Sequence, residues 1–196
     1  MKKVIPEGST LVPENARLVF EGEIFSVWQW QQTLYDGSQA TFEALKRPDT
    51  TNVICIDGEK IIIIDDEQPN RANLKTFPGG RVDPEDADIV AAAQREVLEE
   101  IGYRFKNWRL VEVKQPIRKI EWFTYLLLAW DAESKQPPHH DAGEKISAQE
   151  VSFDELKQLV MNREGYLAET ADIFEPLHSL EDLMLLPEFH GQNVDR

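Results

Sequence analysis

Apolar and polar positions alternate, imperfectly, through residues 17–35, RLVFEGEIFSVWQWQQTLY, with Phe20, Ile24, Val27, Trp28 and Trp30 among the apolar ones. An acidic break at residues 21–23 interrupts the stretch, which reads as strand-rich. DGS at residues 36–38 is a turn signal, and ATFEALKR at 40–47 predicts the return strand of a hairpin. TNVICI, then DG at 57 and 58, then KIIIIDD, predicts a second hairpin. Its unbroken Val/Ile run is the pattern of a strand covered on both faces. EQPNRANLKT, residues 67–76, predicts a polar loop leading into FPGG. DPED at 83–86 predicts an N-terminal capping segment, with proline near a helix start, and the helix should end near Ile101, where Gly102 suits a left-handed cap.

Strands are predicted in WRLVEVKQ and EWFTYLLLAWD; a loop, AESKQPPHHDAGE, leads to ISAQEVSF, and FDELKQLV opens another helix. Beyond Gly165 come helical stretches and a polar end expected to fray. No repeat or low-complexity segment interrupts this order. Strands, helix, strands, helix imply a mixed α/β domain carrying an N-terminal β extension.

Composition narrows the class. The chain has 196 residues, the size of one domain with or without an appendage, and five tryptophans argue against disorder. No apolar run is long enough to span a bilayer, and the N-terminal MKKVIPEGST lacks the apolar stretch of a signal peptide. The lone cysteine, Cys55, leaves no internal disulfide and reads as a small buried hydrophobe in a strand. A cytoplasmic protein with no membrane partner is the expectation. A net charge of −15 weighs against nucleic-acid polymers, which need basic surface to displace counterions. It does not exclude small anions, because a bound divalent cation inverts the local field.

The acidic helix carries the candidate chemistry. Val90, Ala93, Val97 and Ile101 form a stripe that would face a core, and Glu96, Glu99 and Glu100 fall side by side next to it. Like charges at this spacing repel by a few tenths of a kcal/mol per pair, roughly. Two readings follow: a solvated helix face, or oxygen ligands for a hard cation such as Mg²⁺ or Mn²⁺. Arg95 precedes Glu99 by one turn and can orient it. The Gly79–Gly80 pair just ahead lets backbone come close to a ligand, which an ordinary helix face does not need.

This segment resembles the Nudix box: glycine, five residues, glutamate, seven residues, then Arg-Glu-apolar-any-Glu-Glu-any-Gly-apolar. Gly80 matches the first glycine, and REVLEEIGY, Arg95 to Tyr103, matches the last nine positions. The middle departs from the pattern. Five residues separate Gly80 from Asp86, and eight rather than seven separate Asp86 from Arg95; Glu85 is the alternative one position earlier. The glycine usual before that first acidic position is missing.

The resemblance implies a Nudix-type α/β/α sandwich around a mixed β-sheet, and most closely the ADP-ribose pyrophosphatase-type members. Its divisions here would be a β extension over 1–47 that helps form a homodimer, a hydrolase domain over 48–165, and a helical tail over 166–196. It implies metal-dependent hydrolysis of a diphosphate bond in a nucleoside diphosphate derivative such as ADP-ribose or a nucleotide sugar. Glu96, Glu99 and Glu100, with Gly80, would hold Mg²⁺ or Mn²⁺, and Arg95 would orient them. Glu144 would be the base, in a loop shared with His139, His140 and Asp141; the two histidines read more simply as surface residues. Arg47, Arg71, Gly79 and Gly80 would contact the substrate. Trp28, Trp30 or Phe20 would stack on a base or else serve a core or interface. Cleavage of nucleoside triphosphates and a non-catalytic nucleotide-binding module are the alternatives.

Overall fold

The computed structural model describes residues 2–69, 71–140, 143 and 145–195. Its centre is a mixed sheet in the order β11 (Lys145–Val151), β6 (Lys60–Gln68), β5 (Thr50–Asp57), β10 (Thr124–Lys135), β8 (Tyr103–Lys114), with β7 (Arg71–Thr76) also paired to β6. β10 runs parallel to β5 and antiparallel to β8. The Val/Ile run explains why this sheet is central. Successive side chains point to opposite faces, so Val53, Cys55, Ile62, Ile64, Leu127 and Ala129 enter one core, and Ile54, Ile56, Ile61, Ile63, Leu126 and Leu128 enter the other.

Helix α1 (Ile89–Ile101) covers the first face through Ile89, Ala92, Ala93, Val97 and Ile101. The expected stripe is therefore shifted, with Ile89 and Ala92 inside and Val90 only partly buried. The cap also differs. Asp88, not a residue of 83–86, accepts from the Ala91 N–H at 2.8 Å, because DPED is already closed as a turn by Asp86 N–H to the Asp83 carbonyl. Gly102 ends the helix at φ 75° as expected, and a side chain there would collide with the Gln136 carbonyl.

The second face is covered by helix α2 (Phe153–Met161), a 3₁₀ turn (Gly165–Thr170), α3 (Ala171–Phe174) and α4 (Leu180–Met184). A capping box between Ser152 and Glu155 starts α2. Layers of helix, mixed sheet and helix make this an α+β sandwich.

Two predictions about polar segments fail. Residues 67–76, expected as a loop, complete β6 and form β7, paired through Asp65 with Lys75 and Asp66 with Leu74. The C-terminal end, expected to fray, forms β12 (Gln192–Asp195) against β1 (Lys2–Ile5). Neither segment has an apolar pattern of its own; backbone pairing, of β7 with the preceding strand β6 and of β12 with β1 at the other end of the chain, supplies what the pattern lacks.

The N-terminal extension forms a second sheet, β2 (Arg17–Glu21), β3 (Ser26–Thr33), β4 (Gln39–Lys46) and β9 (Ile120–Glu121). Buried ion pairs fasten it to the domain. Lys3 meets Asp49 at 2.8 Å, Lys46 meets Glu121 at 3.0 Å, and the Val12 N–H donates to Glu121 at 2.6 Å. Burial pushes the Asp49 carboxyl up, and Lys3 and the Phe123 N–H oppose it. Among the described residues no helix is long and apolar enough to cross a membrane.

Candidate active site

Residues 78–82 lie along β5 like a strand: Val53 N–H donates to the Pro78 carbonyl, Thr51 to Gly80, and Val82 to Asp49. This pairing brings the double glycine against the acidic helix. The Gly79 N–H donates to Glu100 at 2.7 Å, and a Cβ on Gly80 would stand 2.6 Å from the Glu96 carboxylate. Gly79 has φ 145°, and a side chain there would strike the Thr51 carbonyl. The glycines thus make room for carboxylates.

Arg95 is the hub. Its Nε and Nη2 donate to Asp86 at 3.2 and 3.0 Å, Nη2 also to the Arg81 carbonyl at 2.8 Å, and Nη1 to Glu96 at 2.9 Å and Glu99 at 3.2 Å. The guanidinium holds the Asp86 carboxyl below its ordinary value, and its own pKa is raised, chiefly by the hydrogen bonds to Asp86. Asp86 rather than Glu85 therefore occupies the displaced acidic slot of the box, while Glu85 is exposed. The extra residue is absorbed by the 83–86 turn, in which Asp86 also accepts the Asp83 N–H at 2.8 Å.

These groups line a cavity of about 680 Å³ together with Arg47, Trp122, Tyr166 and Glu169. The Arg47 guanidinium lies 4.6 Å from the Trp122 ring centre and 5.6 Å from that of Phe25, and its buried Nε has no hydrogen-bond partner among the described residues. Burial pulls its pKa down, against Asp49. Trp28, Trp30 and Phe20 sit on the extension sheet and do not line the cavity; Trp28 stacks under Lys46, and Trp30 packs on Phe42. Trp122, which does line the cavity, stands between two strands without a pattern to single it out.

His139 and His140 are more than surface residues. The His139 N–H donates to the Glu99 carbonyl at 2.8 Å, and His140 Nε2 lies 2.9 Å from the Glu100 carbonyl. They dock their loop on the last turn of α1. Glu144 and Asp141, further along, lie outside the described residues, as does the Arg71 side chain, although Arg71 opens β7.

Whether the donors suit a divalent cation is answered by charge and chemistry. Among the described residues, Asp83, Asp86, Glu96 and Glu99 pair with Arg81 and Arg95, and Glu100 accepts from Gly79, so that five carboxylates stand with two guanidinium groups beside the Gly80 cradle. The ligand atoms are hard oxygens. As they stand, however, Glu96 and Glu99 turn to Arg95 and Glu100 to Gly79, and among the described residues no three acidic, histidine or cysteine side chains converge on one point. The set fits a cation in kind and charge, with its carboxylates now resting on local donors.

A family model for the NUDIX domain matches residues 46–171, more than half of the chain. The chain belongs to the Nudix family and is a Nudix pyrophosphohydrolase. A comparison with curated proteins gave no match. Among solved structures, an ADP compounds hydrolase superposes with a TM-score of 0.66 at 17% identity, over 86% of this chain and 95% of its own. A MutT structure, from a study of the Aliivibrio salmonicida and Vibrio cholerae proteins, superposes with a TM-score of 0.50 at 17% identity, over 66% of this chain and 94% of its own. At such identity these likenesses speak for the fold.

Proposed function

We propose that the protein hydrolyses the diphosphate bond of a nucleoside diphosphate derivative, of the ADP-ribose or nucleotide-sugar class, in a reaction that depends on Mg²⁺ or Mn²⁺. The products are a nucleoside monophosphate and a phosphorylated partner. The observation that carries this reading is the carboxylate set of α1, held by Arg95 and facing Gly79 and Gly80 across one cavity. Glu96, Glu99 and Glu100, with the Gly80 carbonyl, would hold the cation. When bound, it neutralises the diphosphate and makes water a better nucleophile at neutral pH.

The remaining roles belong to the chain. Arg95 keeps the carboxylates on one side of the cavity, and α1 fixes their spacing. Arg47, stacked on Trp122 with Nε unsatisfied, offers a positive group to phosphate oxygens. Arg71 is our proposal for a second such contact, and Glu144 for the acceptor of the water proton. The likeness to an ADP compounds hydrolase, which spans 86% of the chain, supports the diphosphate-derivative reading over triphosphate cleavage.

The test is a substrate panel of nucleoside diphosphate sugars, dinucleotides and nucleoside triphosphates, assayed with Mg²⁺ or Mn²⁺ and with chelator, products resolved by phosphorus NMR. A monophosphate should appear only with metal. Turnover unaffected by chelator, or pyrophosphate as the product, rules the reading out.

We also propose that residues 1–47 serve self-association. β2, β4 and the β2–β3 connection leave Leu18, Phe20, Ile24 and Phe42 exposed at 42, 59, 53 and 44%, a surface of the kind a second copy covers. Light scattering at micromolar protein should give a dimer, and Phe42→Glu should give a monomer. A wild-type monomer at these concentrations refutes the idea.

A further inference from the structure

We propose that the 3₁₀ turn Gly165–Thr170 reads the moiety beyond the diphosphate, and that this moiety is a hydroxyl-bearing sugar: Glu169 accepts its hydroxyl hydrogen bonds and Tyr166 covers its ring. The inference rests on the function proposed above and narrows it.

A 3₁₀ helix has three residues per turn, so positions i and i+3 eclipse. Leu167 and Thr170 are one such pair, both buried, at 0 and 7% exposure, and Leu167 belongs to the second core. Tyr166 and Glu169 are the next pair, and both line the cavity that holds Glu96, Glu99 and Glu100. A single turn thus sends one face into the core and the other into the site.

The turn is fixed from three sides. Gly165, at φ 55°, packs so close to the Lys75 backbone that a side chain would collide with it. The Thr170 hydroxyl donates to the Leu167 carbonyl at 2.8 Å, and Lys114 Nζ donates to the Glu169 carbonyl at 3.1 Å. The backbone of Glu169 is held, whereas its carboxylate accepts no hydrogen bond from any described residue. Glu169 is exposed on the cavity wall, and the neighbouring protein still raises its pKa by desolvation, against the pull of Lys114. An acceptor so placed gains from a hydroxyl donor.

Charge then decides the class of ligand. A terminal phosphate in this position would bring negative charge against Glu169, whereas a sugar hydroxyl brings a donor. Glu169 therefore selects for sugar-linked diphosphates and against nucleoside triphosphates. No apolar periodicity marks GYLAET, and the role emerges only when the turn is seen on the cavity wall.

Two measurements on the full chain test this. In steady-state kinetics, Glu169→Gln should raise KM for ADP-ribose about tenfold with kcat within about threefold, leave KM for the matching triphosphate unchanged or lower it, and Tyr166→Ala should act on ADP-ribose in the same direction. Equal KM changes for both substrates, or a hundredfold loss of kcat at constant KM, overturn the assignment; the latter would make Glu169 a proton-transfer group. In metal-free calorimetry, Glu169→Gln should weaken ADP-ribose about tenfold and leave ADP unaffected. Equal weakening of both, or of neither, overturns the assignment even in a protein that proves inactive. Absence of turnover across the panel, by contrast, counts against the proposed reaction alone.

Discussion

Glu100→Gln should lower kcat/KM for the best panel substrate by at least about a hundredfold, roughly 2.7 kcal/mol of transition-state stabilisation, while the melting temperature stays close to that of the wild type. The substitution is nearly isosteric. A glutamine oxygen can still accept the Gly79 N–H that Glu100 now accepts at 2.7 Å, so the contact between the glycine strand and α1 survives. What is lost is one negative charge in a cluster whose excess of charge is the reason to expect a cation. Glu99→Gln should act in the same direction. Glu85→Gln is the control: Glu85 is exposed and the Arg95 slot belongs to Asp86, so activity should be unchanged. A Glu100→Gln protein with more than a tenth of wild-type activity would remove the carboxylate cluster from the mechanism.

The residues in this prediction were legible in the sequence, because helical periodicity alone puts Glu96, Glu99 and Glu100 on one face. The same is true of the central strands, whose Val/Ile run announces burial on both sides, and of Gly102, whose left-handed cap is a local property of the chain. The parts that were not legible are those settled by partners outside the segment itself. Whether Glu85 or Asp86 serves Arg95 depends on how the 83–86 turn closes, which spacing does not determine. β7 and the β1–β12 ribbon are polar segments whose order comes from backbone pairing rather than from an apolar pattern, β7 with the preceding β6 and β1 with β12 across the fold. Trp122, the histidine pair and the 3₁₀ turn reach the site only through tertiary packing. For the tryptophans of the alternating strand, stacking on a base and a place in a core or interface both stayed open, because a strand's register does not say which face meets the cavity.

Gly79→Ala should be the most destabilising single substitution at the site, by about 3–5 kcal/mol, lowering the melting temperature by roughly 10 °C. Two terms combine. At φ 145° a side chain is strained whatever the space around it, and here the added methyl also meets the Thr51 carbonyl of the neighbouring strand, which is backbone and cannot rotate away. The comparison that separates the terms is Gly58→Ala. Gly58 also has positive φ, 61°, but nothing lies within 4 Å of its would-be Cβ, so only the conformational penalty of about 1 kcal/mol applies. Relief of the Gly79 collision requires residues 78–82 to move off β5, which draws the Gly79 N–H away from Glu100 and Gly80 away from Glu96. Activity of the folded fraction should therefore fall further than that of Gly58→Ala. Thermal denaturation of the two variants against the wild type decides the matter, and equal melting temperatures for Gly79→Ala and Gly58→Ala would show that the glycine strand is not clamped between β5 and the acidic helix.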